Sequence, residues 1–380
     1  MGDVMKKTGN DAEDSGEDVN RNRQLPLYLQ VKRTILSKIV RGEQPPGSAL
    51  KSEKALCDEY KVSRVTVRKA LKELVDEGLI ERKGGSGTYV RADAESSLTG
   101  ARVLGLLVTQ NHVEFVGSIV SGFIGSARDR GWLTVLVSSN DDPDQELKCL
   151  DALVNAGIGR ITVLPCENSR LIEKDALFQT GRRQLCLIDR EPDTKVDYDF
   201  VGSDNVGGAY TAVRHLHSQG FTRVAFLSHK SDISSIRQRL DGFLLAARDF
   251  GVQVIGNPEA GSHYNHRQRL FIEDLRDRIG ELSRNLPMGI VAVNDKTALD
   301  CIDILRGKGI AIGKDIAVVG FDNEPAGAFS NPPLTSVAQN GQLIGDAAAK
   351  IAVEGLEKQR EHRCRIILPT QIILRKSCGE

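Results

Sequence analysis

The sequence predicts an α/β protein in two parts: a small helical module closed by a β-hairpin, then a large body in which strands and helices alternate in two series. Three observations predict it. Apolar residues recur at helical spacing between 25 and 78; a Gly-rich turn separates two strand-like runs at 79–91; and apolar runs of strand length alternate with amphipathic stretches from 103 to 322. The chain has 380 residues, room for two or three domains.

Residues 1–20 carry two Lys and six Asp/Glu and lack an apolar segment, which reads as a disordered polar tail and not a signal peptide. The first helix spans 25–42, with Leu29, Val31, Ile35, Leu36, Ile39 and Val40 on one face, Pro26 in its first turn and Gly42 as its stop. QPPGSAL is a turn. SEKALCDEY (52–60) is a second helix with Ser52 as N-cap. Ser63 opens a third, which buries Val67, Ala70, Leu71 and Leu74 and ends at Gly78. A strand at 79–82, a turn at 83–87 and a return strand at 88–91 complete a winged helix-turn-helix.

Net charge is zero over the chain but uneven along it. Residues 21–92 carry 16 Lys/Arg against 8 Asp/Glu, a net of +8, while 1–20 and 93–380 each carry −4. A basic module on an acidic body points to a polyanionic partner for the module alone. Helices two and three form the helix-turn-helix, whose second helix enters the major groove, so the polar first turns of the third helix face DNA. Arg64 and Arg68, four apart, can each fork onto guanine or grip phosphate. Ser63 and Thr66 are short donors to phosphate near a helix N-terminus. Lys54 and Lys69 are further phosphate or edge contacts; in the wing, Lys83 supplies charge and glycines such as Gly85 let backbone approach a minor groove. A basic amphipathic helix with solvated arginines is the plainer alternative.

The run SEKALCDEYKVSRVTVRKALKELVDEGLIERKGGSGTYV resembles the GntR-type winged helix over about 65 residues, through the Ser63-Arg64-x-Thr66-x-Arg68 helix start, Gly78-Leu79-Ile80 and Gly85-Ser86-Gly87-Thr88-Tyr89-Val90. The resemblance implies DNA contacts by Lys54, Ser63, Arg64, Thr66, Arg68 and the wing around Gly85. Lys54 departs from a position often held by Arg, and an ammonium cannot reproduce a bidentate fork.

ADAESSLTGA (92–101) is a linker. The body, 102–380, then alternates: strands at 103–109, 132–139, 160–166 and 183–189 with helices at 116–130 and 142–157, and after DYDFVGSDN a second series with helices at 207–220 and 236–251 and strands at 223–229, 252–256, 289–294 and 316–322. Alternation of this kind predicts a parallel, doubly wound sheet, and two series predict two lobes with a cleft between them. Ligands bind such sheets beyond the strand C-termini. There stand Gln110, Asn111, Asp189, Arg190, Asp204, Asn205, Asn294, Asp295, Asp322 and Asn323. Carboxylates, amides and an Arg suit a sugar, whose adjacent hydroxyls each donate and accept; Phe115 and Val116 could cover its C–H face. The plainer alternatives are strand-end capping for Asp189, Asp204 and Asn205, and an ion pair for Asp322. Lys296 could meet a sugar acid or point away.

The body resembles the LacI/GalR-type effector domain, which is periplasmic-binding-protein-like, through Val201-Gly202-Ser203-Asp204-Asn205, His215-Leu216, Ser235–Phe243, Asn294-Asp295, Val319–Asn323 and Pro333–Val337. It implies two lobes, about 102–203 plus 341–368 and 205–339 plus 369–380, linked by three crossings. It adds Ser235, Arg239 and the hinge residue Gln339 to the effector site. Arg239 and Asp322 are the leading effector contacts. A GntR-type head on a LacI-type body resembles the arabinose-repressor class.

The expected function is a ligand-controlled transcriptional regulator, and in particular a repressor. It would be a cytoplasmic homodimer on a palindromic double-stranded operator, with outer body helices such as 116–130 at the dimer contact and a small-molecule effector in the cleft. Seven scattered cysteines without CxxC pairing read as reduced thiols, and no apolar run is long enough for a membrane span. No cofactor or metal is expected. The rival reading, an aminotransferase-type or other catalytic body behind the same head, needs a Schiff-base Lys with a pyridinium-pairing Asp, a P-loop, GxGxxG or GxSxG; none is found.

Overall fold

In the computed structural model, residues 26–40, 43–45, 47–83, 87–91, 102–110, 114–178, 184–192, 194–229, 233–257, 269–357 and 363–379 are described. They form two compact units, 1–101 and 102–380.

The first unit contains helices α1 (Leu27–Val40), α2 (Glu53–Tyr60) and α3 (Arg64–Asp76) and the antiparallel pair β1 (Ile80–Lys83) and β2 (Gly87–Val90). Its core is Val31, Ile35, Ile39, Leu56, Tyr60, Val67, Ala70, Leu71, Leu74, Ile80 and Val90. Ser52 caps α2 and Ser63 caps α3, each hydroxyl accepting a backbone N–H at 3.2 Å. Lys61, with φ of 51°, turns the chain between them. The strands pair as far as Lys83 and Gly87, so those two residues, expected in the turn at 83–87, lie in the strands; 84–86, Gly85 among them, are outside the described residues. Segment 47–50 pairs with the other side of β2, through Gly47 N–H to Val90 O and Leu50 N–H to Thr88 O.

The second unit contains two six-stranded sheets wound alike. The first lobe orders its strands β13-β7-β6-β5-β3-β4 and the second β14-β12-β11-β10-β8-β9. In the first, β3 (Val103–Val108), β4 (Leu133–Ser138), β5 (Arg160–Val163), β6 (Gln184–Ile188), β7 (Asp199–Ser203) and β13 (Arg365–Leu368) are all parallel. In the second, β8 (Arg223–Leu227), β9 (Gln253–Val254), β10 (Met288–Ala292), β11 (Ile316–Asp322) and β12 (Thr335–Ala338) are parallel, and β14 (Gln371–Ile373) is an antiparallel edge. Central strands such as β10 and β7 are buried at every residue, because helices cover both faces. The edge strand β4 alternates instead, exposing Leu133 and Val135.

Helices α4 (Glu114–Asp129) and α5 (Pro143–Asn155) belong to the first lobe, with α11 (Gly341–Glu357); α6 (Asn205–Ser218), α7 (Ser234–Asp249), α8 (Arg269–Leu282), α9 (Asp295–Gly307) and the short α10 (Pro325–Phe329) belong to the second. In each lobe the helix entering from a crossing packs against the helix of the first strand. A Cβ on Gly122 of α4 would strike the Gln342 carbonyl of α11, and one on Gly242 of α7 the Val206 carbonyl of α6. The chain passes between the sheets at 204, at 339–340 and at 369–370. Strands β7, β12, β13 and β14 and helices α8, α9, α10 and α11 have no counterpart in the pattern read from the sequence.

Candidate functional site

In the first unit, α3 turns Arg64, Val65, Arg68, Lys69 and Lys72 outward while Val67, Ala70, Leu71 and Leu74 hold it to the core. Arg68 does not wave freely: its Nε donates to Glu53 Oε2 at 2.8 Å, and Arg82 of β1 donates to Glu53 Oε1 at 3.3 Å. Glu53 thus ties α2, α3 and the base of the wing together and fixes the plane of the Arg68 fork. Arg64 has no ion-pair partner among the described residues. Ser63 Oγ and Thr66 Oγ1 lie 2.9 Å apart in one hydrogen bond, which leaves one hydroxyl proton to donate outward. Lys69 Nζ lies 3.8 Å from the centroid of the Tyr28 ring. Lys54 is exposed at the start of α2, and Lys83 pairs with Glu81 at 3.2 Å.

In the second unit, charged side chains from both sheets converge at strand C-termini. Arg239, in the second turn of α7, is buried. Its Nε donates to Asn205 Oδ1 at 2.9 Å, its Nη1 donates to Val293 O at 2.6 Å and stands 3.6 Å from Asp322 Oδ1, and its guanidinium carbon is 3.8 Å from the Phe321 ring centroid. Gln339, at a crossing, donates from Nε2 to Asp322 Oδ1 at 2.7 Å. From the first lobe, Arg190 donates to Pro165 O at 3.1 Å, with Asp189 and Asp141 at 3.6 and 3.8 Å. The loop bearing it is anchored on either side. Glu191 accepts two bonds of 2.7 Å from Arg365 of β13, and its N–H donates to Ser234 Oγ of α7 at 2.8 Å, a bond between lobes. Asp189 and Arg190 both act on the charge of Arg239, and Arg190, Arg239 and Asp141 on that of His229.

Two features mark this region. Asp141, Asp189, Asp322 and Asn323 adopt φ of 60°, 62°, 108° and 58° at strand ends, conformations uncommon for residues other than glycine and concentrated at binding sites. And Asp189 Oδ1, Arg190 Nε, Ser203 Oγ and Gln339 Oε1 are buried without a hydrogen-bond partner among the described residues. Each such atom costs about 1–3 kcal/mol, a cost that a hydroxylated ligand removes. Burial, opposed by Arg239, raises the Asp322 carboxyl to about 7. Burial, with Arg190 and Arg239 adding to it, lowers His229 to about 4.

Of the expected effector residues, the structure gathers Asp189, Arg190, Arg239, Asp322 and Gln339. Ser235 is buried one turn before Arg239. Asp204 and Asn294 spend their side chains as N-caps of α6 and α9, accepting the N–H of Gly207 and Thr297 at 2.8 Å. Asp295 is inside the lobe, accepting from Ser336 Oγ at 2.6 Å and the Glu324 N–H at 2.7 Å. Phe115 is half-buried against the first-lobe core, Lys296 pairs with Asp300 on the surface, and Asn111 is outside the described residues. Sequence reasoning missed Glu53, Asp141 and His229. The strand-end rule reaches the last two, which follow β4 and β8; nothing in the sequence marks Glu53. Among the described residues, no group of three His, Cys, Asp or Glu side chains could hold a metal ion, every cysteine is a free thiol, and no helix is long and apolar enough to cross a membrane.

A winged helix with a basic outer face, on the same chain as a two-lobed body whose strand ends gather polar groups, defines the class of transcriptional regulators with an effector domain. Residues 27–90 match the bacterial regulatory proteins of the gntR family, and 213–378 the periplasmic binding protein-like domain. The arabinose metabolism transcriptional repressor of Halalkalibacterium halodurans is 30% identical over 367 residues, covering 93% of this chain and 96% of that protein. The chain belongs to the same family as that repressor. Two solved structures share the fold: a transcriptional regulator CelR–cellobiose complex, with a TM-score of 0.64 at 20% identity over 85% of this chain and 94% of that one, and a putative ribose operon repressor from Burkholderia thailandensis, with 0.62 at 24% over 72% and 99%.

Proposed function

We propose that the protein is a transcriptional repressor that binds a palindromic operator as a homodimer, with half-sites about 10 bp apart or a multiple of that, and that an uncharged sugar between the lobes controls it. Arg64, Arg68, Ser63 and Thr66 meet DNA, with Lys54, Lys69, Lys83 and the wing at its backbone. Asp189, Arg190, Arg239, Asp322 and Gln339 bind the effector, with Ser235 beside them.

The observation that carries this is a set of buried atoms without a hydrogen bond among the described residues, on the first lobe and at a crossing: Asp189 Oδ1, Gln339 Oε1 and Arg190 Nε, which stands 3.6 Å from Asp189 Oδ2. Two acceptors and a donor suit neighbouring hydroxyls, each of which gives and takes one bond. Three carboxylates, Asp141, Asp189 and Asp322, surround two guanidiniums, Arg190 and Arg239, which disfavours a sugar acid or a sugar phosphate. A ligand that meets groups on both lobes binds one lobe arrangement more tightly than another, and only that difference can drive a change at the heads, typically a coupling of about 1–3 kcal/mol.

The test is a thermal-shift screen of neutral sugars, sugar acids and sugar phosphates, since ligand raises Tm by mass action, followed by DNA binding with each hit. A neutral sugar that raises Tm and alters operator affinity supports the reading. A response confined to anionic sugars, or none, overturns it.

A further inference from the structure

The DNA-reading face of α3 carries one side chain its polar chemistry does not use. Val65 is 77% exposed, one residue inside the helix, between Arg64 and Thr66. It shares the outward stripe of the helix with Arg68, Lys69 and Lys72, at i+3, i+4 and i+7. Several of its neighbours have partners of their own. Arg68 is tied to Glu53, Lys69 lies over Tyr28, and the Ser63 and Thr66 hydroxyls bond each other. The two valine methyls are left uncovered amid charge. The helix itself gains nothing from this choice, because a β-branched residue at an exposed helical position is worse than Ala.

In the major groove the base edges offer donors and acceptors, and one apolar group, the thymine C5-methyl. The first turn of a recognition helix is the part that reaches base edges. We infer that Val65 packs on the C5-methyl of a thymine in each half-site and so selects T at a position that Arg64 and Arg68 do not read. Valine is well suited to such a contact. Its χ1 is nearly fixed in a helix, so the methyls are presented without loss of rotamer freedom. The inference rests on the DNA-binding reading and adds a base to it.

The experiment begins with duplexes selected from a random library by the full-length protein. Each thymine of the selected half-site is replaced in turn by deoxyuridine, which pairs identically and lacks the methyl. Affinity is read by fluorescence anisotropy for the unaltered protein, Val65→Ala and Val65→Thr. One thymine should emerge whose replacement weakens binding about fourfold per half-site, the factor for one buried methyl. Val65→Ala should be indifferent to that replacement and Val65→Thr, which keeps one methyl, intermediate. Equal affinity of Val65→Ala and the unaltered protein for a random duplex at low salt shows the variant is folded. Indifference of the unaltered protein to every replacement overturns the inference, as does undiminished sensitivity in Val65→Ala; in both cases DNA binding itself stands. Failure to select any duplex overturns the DNA-binding reading, and this inference with it.

Discussion

Arg239 Nη1 stands 3.6 Å from Asp322 Oδ1, in a side-chain layer where Arg239 is only 7% and Asp322 14% exposed. The pair is not a bidentate fork. Arg239 divides its donors between Asn205 and Val293, and Asp322 takes its hydrogen bond from Gln339. A ligand oxygen can therefore join both partners without breaking a closed salt bridge. Arg239→Ala should cost about 3–5 kcal/mol, because it strands a buried carboxylate. Arg239→Lys keeps the charge and loses the fork. It should stay folded, bind DNA and give no sugar-dependent shift in Tm. An unchanged shift in the Lys variant would remove Arg239 from the effector site.

Glu53 offers a test in which two effects have opposite signs. A carboxylate beside a DNA-binding face repels phosphate, so its loss should strengthen binding if charge alone matters. If it holds Arg68 and Arg82, Glu53→Ala should weaken operator binding by about 1–3 kcal/mol, as Arg68→Ala should if Arg68 reads a base, and the double variant should be no worse than either alone. Anisotropy titrations with the single and double variants decide it.

Burial lowers His229 from 6.5 to about 4, so between these values the unfolded chain binds the proton and the native one does not. Stability from this group is complete above pH 6.5 and is lost as pH falls toward 4. His229→Gln removes that loss. Urea unfolding of the two proteins should agree in pH dependence above pH 6.5 and diverge as pH falls toward 4, in favour of the Gln variant by up to about 3 kcal/mol. Asp322, raised to about 7, works the other way: its contribution is complete below pH 3.8 and declines as pH rises to 7. A parallel pair of curves would show that His229 titrates normally.

The two helix crossings at Gly122 and Gly242 admit no Cβ without a backbone shift. Gly122→Ala and Gly242→Ala should each cost about 1–3 kcal/mol of overpacking. Gly125, on the same helix as Gly122 but with nothing within 4 Å of a Cβ, is the control, and Gly125→Ala should be neutral or stabilising. Thermal melts of the three variants compare them directly.

Strands such as β3 and β11 are legible as short apolar runs because burial on both faces removes any need for alternation. The short edge strands β13 and β14 are half exposed, and their sequences show no such run. At the candidate cleft, the rule that ligands meet strand C-termini locates the place but not the role. Asp204 and Asn294 sit where it points, yet a strand end is also where the next helix needs a cap, and capping selects the same residue types. Asp189 and Asp322 differ from them in taking positive φ, which only three-dimensional structure reveals. Glu53 was invisible for another reason: an acid in a basic module looks adverse until its two arginine partners are seen.

The route of the chain has a practical consequence. Because it changes sheets at 204, 339–340 and 369–370, no single cut yields either half of the body intact. The last segment supplies β14 to the far sheet, and Ser377 beyond it donates to Val318 O and accepts the Thr335 N–H. Expression of one half alone, or a stop codon even a dozen residues early, should give a protein with an open sheet edge and poor solubility; the body can be inherited, engineered or crystallised only whole.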